Sequence, residues 1–233
     1  MGVLAVVSQG GGVLPKAREK EKETRPGWKQ NPAAVRRDIL RAATDVFAAN
    51  GLSGTRVDEI AARTKTSKRM IYYYFGDKEG LYACVLEAAY AKVRRGERKL
   101  DLDALPPLDA LAQLVGFTFD HHRRNPDFIR LVMIENVHHA DFVKRSSTIR
   151  DVNAAAIDRL QGLIVRGEAE GVFRPGLDPV ALHWQISALS FFNVSNKPTF
   201  SALFGRALFG RAGQETLRNQ AVGTILAYVR RDA

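Results

Sequence analysis

Apolar positions in this chain recur at the three- and four-residue intervals of a helix almost from end to end, and nowhere do they alternate long enough to suggest a strand. The first regular run opens at Asn31-Pro32, a capping residue followed by a first-turn proline. Val35, Ile39, Ala42, Val46 and Phe47 then keep helical spacing up to Asn50-Gly51. A second, short run opens at Thr55, whose hydroxyl stands at an N-cap position with Asp58 three residues on, the arrangement of a capping box. Val57, Ile60 and Ala61 share its apolar face. Thr64-Lys65-Thr66 reads as a turn, Ser67 as another N-cap, and the helix starting near Lys68 carries Ile71 and Phe75 on the face that meets Ile60. Beyond it the periodicity predicts helices near 76–99, 106–124, 126–140, 146–170, 178–196, 199–209 and 212–231, separated by proline and glycine. The expected fold is all-α: an N-terminal three-helix unit containing a helix-turn-helix, then a larger helical domain, with about nine or ten helices in all.

The order of short helix, three-residue turn and short helix has a chemical consequence. With Ile71 and Phe75 turned inward, Lys68, Arg69, Met70, Tyr72 and Tyr73 occupy the remaining arc of their helix. Its N-terminal end, preceded by Ser67, presents the positive pole that suits phosphate. A rod of this size fits the DNA major groove. Each part also has a plain explanation, since tyrosines pack in cores and a Lys-Arg pair often lies on a solvated face. Three successive tyrosines cannot all face a core, however, because successive side chains spread around the axis.

Charge sharpens this picture. The chain carries +10 overall; residues 1–100 hold 20 Lys+Arg against 11 Asp+Glu, and residues 101–233 hold 15 against 14. A basic segment joined to a nearly neutral one suggests two tasks, one of them binding a polyanion. The 233 residues suffice for both units with separate cores. The expected division is a flexible basic arm over 1–30, a DNA-binding domain over 31–78 and a further domain over 79–233. Lys16, Arg18 and Lys29 in the arm, with Arg36 and Arg37 at its junction, can reach the minor groove or neighbouring phosphates, or simply stay solvated. The opening MGVLAVVSQGGG is too briefly apolar for a signal peptide or membrane span, so a cytoplasmic protein with no membrane partner is expected. The lone cysteine, Cys84, excludes an internal disulfide and reads as a small buried side chain.

Several fixed spacings now combine: Gly51-x-x-Gly54-Thr55, Ile60-Ala61-Ala62, Ser67-Lys68, Ile71-Tyr72-Tyr73-Tyr74-Phe75 and Asp77-Lys78-Glu79-x-Leu81. Over residues 32–85 the chain resembles the TetR family of bacterial transcriptional regulators. The resemblance implies that Lys68, Arg69 and Met70 touch base edges. It implies that Thr55, Arg56, Ser67, Tyr72, Tyr73, Tyr74 and Lys78 clamp the DNA backbone, with Lys65 and Thr66 in the turn adding contacts. Where the family usually has glycine this chain has Lys65, so either the turn differs or Lys65 bears a left-handed strain of about 1 kcal/mol. The segment Asn196–Arg211, with Phe200, Leu203, Phe204 and Phe209, resembles a connection found in the pyrimidine-utilisation regulator branch.

In the larger domain, polar groups interrupt apolar stretches: Phe117 with His121-His122; Met133, Glu135 and Asn136 with His138-His139; Trp184 with Gln185 and Ser187; and Phe191-Phe192-Asn193. An internal hydrogen-bond network and a small-molecule cavity both satisfy such groups. By resemblance this region is an effector pocket, with Phe117, His121, Met133, Glu135, Asn136, Trp184, Phe191 and Asn193 as its candidates. Glu135 and the histidines three and four residues on have metal-ligand spacing, but adjacent histidines diverge by about 100°, and no metal or other cofactor is expected. No catalytic ordering of Ser, His and Asp, phosphate loop or cysteine cluster occurs, so no enzyme is expected. The helices near 178–196 and 212–231 read either as monomer core or, as in the family, as one half of a homodimer's four-helix bundle. The functional expectation is a repressor that binds double-stranded operator DNA as a dimer and is released by a small-molecule effector. The competing expectation is a DNA-binding regulator controlled by a protein partner.

Overall fold

The computed structural model describes residues 31–231, so the expected arm over 1–30, with Lys16, Arg18 and Lys29, lies outside the described residues. Eleven helices follow one another: α1 (Pro32–Gly54), α2 (Val57–Ala62), α3 (Lys68–Phe75), α4 (Lys78–Glu97), α5 (Pro107–Arg124), α6 (Pro126–Val137), α7 (Asp141–Arg145), α8 (Ser147–Ala169), α9 (Pro179–Ser195), α10 (Lys197–Phe204) and α11 (Arg211–Val229), with a short 3-10 turn at Ala207–Phe209. The described residues contain no strand, and one isolated bridge joins Phe173 to Arg230.

Two hydrophobic cores organise these helices. The first gathers Val35, Ile39, Val46 and Phe47 of α1, Val57 and Ile60 of α2, Ile71 and Phe75 of α3, and Leu81 to Leu86 of α4, and it also takes Leu131 of α6 and Ile149 of α8. The second is built on α5, α8, α9 and α11 around Leu111, Val115, Phe119, Leu163, Ile186 and Ile225. The chain is therefore an N-terminal helix-turn-helix unit followed by a larger helical domain. Because α4, α6 and α8 contribute to the first core, the two parts are packed together rather than tethered.

Local signals explain the boundaries. Gly51 breaks α1 with φ 70° and ψ 179°, a region open essentially to glycine, and so turns the chain into the helix-turn-helix. Ser67 caps α3 by accepting from the Met70 amide, and Asp77 caps α4 by accepting from the Gly80 amide. The expected capping box at Thr55 does not form. Arg56 stands at the N-cap without a side-chain bond, while the Thr55 hydroxyl donates to the Gly51 carbonyl at 2.7 Å.

α6 ends at Val137, short of the expected 140, and α7 fills the interval before the helix expected from 146. His139 and Ala140 adopt left-handed φ values of 56° and 59° to make this corner. Buried Glu135 holds it: one carboxylate oxygen accepts from the Tyr82 hydroxyl at 3.1 Å, the other from the backbone amides of Phe142 and Val143. Burial and the Glu135 charge keep the Tyr82 hydroxyl protonated well beyond its ordinary range. Glu135→Ala orphans three donors at once and is expected to destabilise the fold by about 3 kcal/mol in urea denaturation; a loss under half that value would show that the corner is held by other contacts.

Candidate nucleic-acid interface and effector region

α3 protrudes as the patterning requires. Ile71 is fully buried and Phe75 nearly so, against Ile60, while Lys68, Arg69, Met70, Tyr72 and Tyr73 are exposed. Tyr73 is 77% exposed and stacks edge-on against Tyr74 at 5.4 Å, a posture that holds its phenol outward. Tyr74 is half-buried against the core, so one of the three tyrosines is packing and two are surface. Lys68 forms a 3.0 Å ion pair with Asp58 of α2. Both partners are largely solvated, so the pair is weak and yields readily to phosphate.

The flanking candidates divide. Arg56, Lys65 and Ser67 are exposed and Thr66 half-buried beside α3. Lys65 does not adopt a positive φ, so the turn accommodates it without left-handed strain and the glycine of relatives is unnecessary. Lys78 donates to the Thr55 carbonyl at 3.3 Å, tying the start of α4 to the start of α2. Thr55 is a correction: it is 2% exposed and its hydroxyl is spent inside the fold, so it positions α2 and is not a phosphate clamp. At the junction, Arg36 folds back, with its guanidinium 5.3 Å from the Phe75 ring and 3.7 Å from the sulfur of half-buried Cys84.

The effector candidates fare unevenly. Met133, Asn136 and Trp184 are exposed and do not line the interior. Glu135 is committed to Tyr82 and the α7 corner. Asn193 is buried but exchanges paired amide hydrogen bonds with Gln214 at 3.0 and 2.8 Å, which makes it a link between α9 and α11. Phe191 is half-buried, and Phe117 lies half-buried with its ring against Gly96 and 5.7 Å from His121. Among the described residues, no group of three or more His, Cys, Asp or Glu side chains could hold a metal ion.

His121 is the candidate that stays open. Both of its ring nitrogens, and Nδ1 of His122, are buried without a hydrogen-bond partner. Phe128 lies 6.2 Å from the His121 ring and 5.8 Å from that of His122, and Tyr90 stacks on Phe128 at 5.3 Å. His183 of α9 completes the group, its Nε2 3.5 Å from the Ser187 hydroxyl. All three histidines are pushed down to about 4. Burial is the main cause in each, and Arg94 adds repulsion. That arginine is half of a buried pair: it grips both oxygens of Glu97 and also donates to Asn153 of α8. Sequence reasoning missed His183, Arg94 and Asn153, because only the fold brings α4, α8 and α9 beside α5.

A protruding basic, phenolic helix in a helix-turn-helix, carried by a larger helical domain, defines a helix-turn-helix transcriptional regulator. The family model "Bacterial regulatory proteins, tetR family" matches residues 39–85, and "Tetracyclin repressor-like, C-terminal domain" matches residues 107–225. The chain belongs to the TetR family. It is 37% identical over 173 residues to the HTH-type transcriptional repressor NicS of Pseudomonas putida, covering 74% of this chain and 82% of that protein. It is 29% identical over 193 residues to the HTH-type transcriptional regulator RutR of Escherichia coli, covering 83% and 87%. Among solved structures, the putative transcriptional regulator SCO4942 of Streptomyces coelicolor superposes with a TM-score of 0.66 at 27% identity, over 85% of this chain and 99% of that one. FadR of Bacillus subtilis in complex with stearoyl-CoA shares the fold, with a TM-score of 0.63 at 17% identity over 83% and 99%. No helix of the described residues is long and apolar enough to cross a membrane.

Proposed function

We propose that this protein is a cytoplasmic repressor that grips operator DNA as a homodimer and is released by a small molecule bound in its C-terminal domain. Its working parts are a DNA-binding domain over 31–78 and an effector-binding and dimerisation domain over 79–233. The observation that carries the reading is the outer face of α3, where Lys68, Arg69, Met70, Tyr72 and Tyr73 stand exposed on a helix anchored by Ile71 and Phe75. Tyr72 and Tyr73 donate to phosphates and set the register; Arg69 and Met70 meet base edges.

Operator fragments selected from genomic DNA supply the duplex for fluorescence anisotropy across several salt concentrations. Tyr73→Ala is expected to weaken binding to every duplex alike. Arg69→Ala is expected to shift preference at one base pair by about 1–3 kcal/mol. Wild-type affinity in Tyr73→Ala would remove the clamp assignment.

The effector belongs in the interior around His122 and His183, bounded by Phe117, Tyr90 and Phe128. The buried Nδ1 of His122 has no partner and favours a ligand that supplies one. The complex of FadR with stearoyl-CoA supports the idea that this fold takes small molecules. The ligand acts through its preference for one separation of the two α3 helices over another. In thermal shift, an effector at 100 times its dissociation constant adds about 2.7 kcal/mol of stability. Silence across a wide panel of acids, nucleobases and xenobiotics would favour control by a protein partner instead.

A further inference from the structure

A second cleft, of about 550 Å³, lies between α1 and the corner where α5 meets α6, with α4 as its back wall. Five cations line it, Arg37 and Arg41 from α1, Lys92 and Arg95 from α4, and Arg124 from α5, against two carboxylates, Asp45 and Asp127. Arg41 and Arg124, themselves well solvated, are paired only with half-buried carboxylates on their own helices, at 2.6 and 3.8 Å. Lys92 donates to the Asn125 side chain at 2.6 Å. Among the described residues Arg37 and Arg95 have no partner.

A cleft that concentrates this much like charge is unfavourable when empty and favourable around an anion. Its lining supplies a second, independent pointer. His121, 9% exposed, is one of its walls, and neither ring nitrogen has a partner. Both nitrogens are buried at this wall, so an occupant would meet the one donor and one acceptor of the neutral imidazole only after the ring turns toward it. Leu40 and Phe128 give the same cleft an apolar side.

We infer that the cleft binds an organic phosphate ester or phosphonate, its dianionic head held by Arg37, Arg95 and Lys92 and its apolar body against Phe128. The cleft shares the Phe128 wall with the interior effector region, but its cations stand outside that region, and the inference does not rest on the assignment of that region. An occupant would bridge α1, which carries the helix-turn-helix, to α4 and the α5–α6 corner of the larger domain. Such a bridge favours whichever placement of the DNA-binding unit brings the arginines together.

Phenylphosphonate is a suitable probe, with benzoate and inorganic phosphate as separate arms, on the full-length protein. Calorimetry is expected to find one saturable phenylphosphonate site per chain. The His121 ring nitrogens are expected to shift on titration in heteronuclear NMR. Arg37→Ala and Arg95→Ala, both on exposed side chains, should each weaken binding at least about tenfold, whereas Arg211→Ala, which removes an exposed cation outside the cleft, should leave it unchanged. Benzoate binding as tightly as phenylphosphonate would overturn the dianion, and inorganic phosphate doing so would overturn the apolar contact. Unchanged phenylphosphonate affinity in both arginine variants, or an adventitious, non-saturating signal, would overturn the site. Arginine variants that lose operator affinity but keep phenylphosphonate would make these side chains part of the nucleic-acid surface and overturn it too.

Discussion

Lowering the pH from about 7 to about 4.5 is expected to strip several kcal/mol from the stability of this fold, chiefly through three histidines. His121, His122 and His183 titrate at about 4 in the folded protein, against an ordinary value of 6.5. The unfolded chain therefore binds more protons than the folded one between those values. The stabilisation from keeping the imidazoles neutral is complete above 6.5 and is lost as pH falls through about 4. Each shift corresponds to a loss on the order of 3 kcal/mol, large beside a total stability of roughly 5–15 kcal/mol. The three sites interact, through His121 with His122 and His122 with His183, so the losses will not simply add. Urea denaturation at intervals between pH 7.5 and 4.5 measures the slope. His122→Gln removes one buried imidazole while keeping a neutral polar group, and should flatten the profile by about 2–3 kcal/mol. An unchanged midpoint between pH 7 and 5 would mean that solvent reaches these rings and that the interior is open.

These histidines also mark where sequence reasoning stops. The longer helices were legible, because α1, α4, α5, α8 and α11 each bury one repeating apolar stripe, whereas the short α7 was not. The α2-turn-α3 unit was legible for a further reason: Ser67 caps α3 locally and Ile71 and Phe75 fix its rotation, so the exposed arc follows. Thr55 misled because a threonine beside a helix start has two choices, its own helix or a neighbouring carbonyl, and only the Gly51 kink brings that carbonyl within 2.7 Å. α9 misled more broadly. It is apolar on nearly every face, so periodicity alone cannot say which side is interior, and Trp184 was placed inside when it is 70% exposed. The Arg94, Glu97 and Asn153 cluster was invisible for the simplest reason, since Arg94 and Asn153 are 59 residues apart.

The face of α9 that sequence could not orient carries the second large effect. Leu182 and Ile186 turn into the second core, while Val180, Trp184, Leu189 and Phe192 remain exposed on the other side. Leu182 and Ile186 thus serve the monomer core, and the residues that a partner surface would need are other, exposed ones on the same element. Beside the exposed stripe an apolar groove of about 710 Å³ runs along α9 and α11, and Tyr228 of α11 is exposed at its own edge of that helix. An apolar surface of this extent on a water-facing helix pair is expected to be covered. A second copy related by a twofold axis would cover it with the same residues. If that is the homodimer, Trp184→Glu or Phe192→Glu places a charge in a desolvated seam and leaves the second core untouched. Sedimentation velocity should then show the wild type as a dimer and the variant as a folded monomer with unaltered helical circular dichroism. A monomer holds only one half-site at a time, so the advantage of linked binding disappears and operator affinity should fall on the order of 10²–10⁴-fold. A variant that dimerises as the wild type does would place the seam elsewhere. A monomer that keeps full operator affinity would mean that one α3 helix suffices, and the twofold arrangement would have no part in DNA binding.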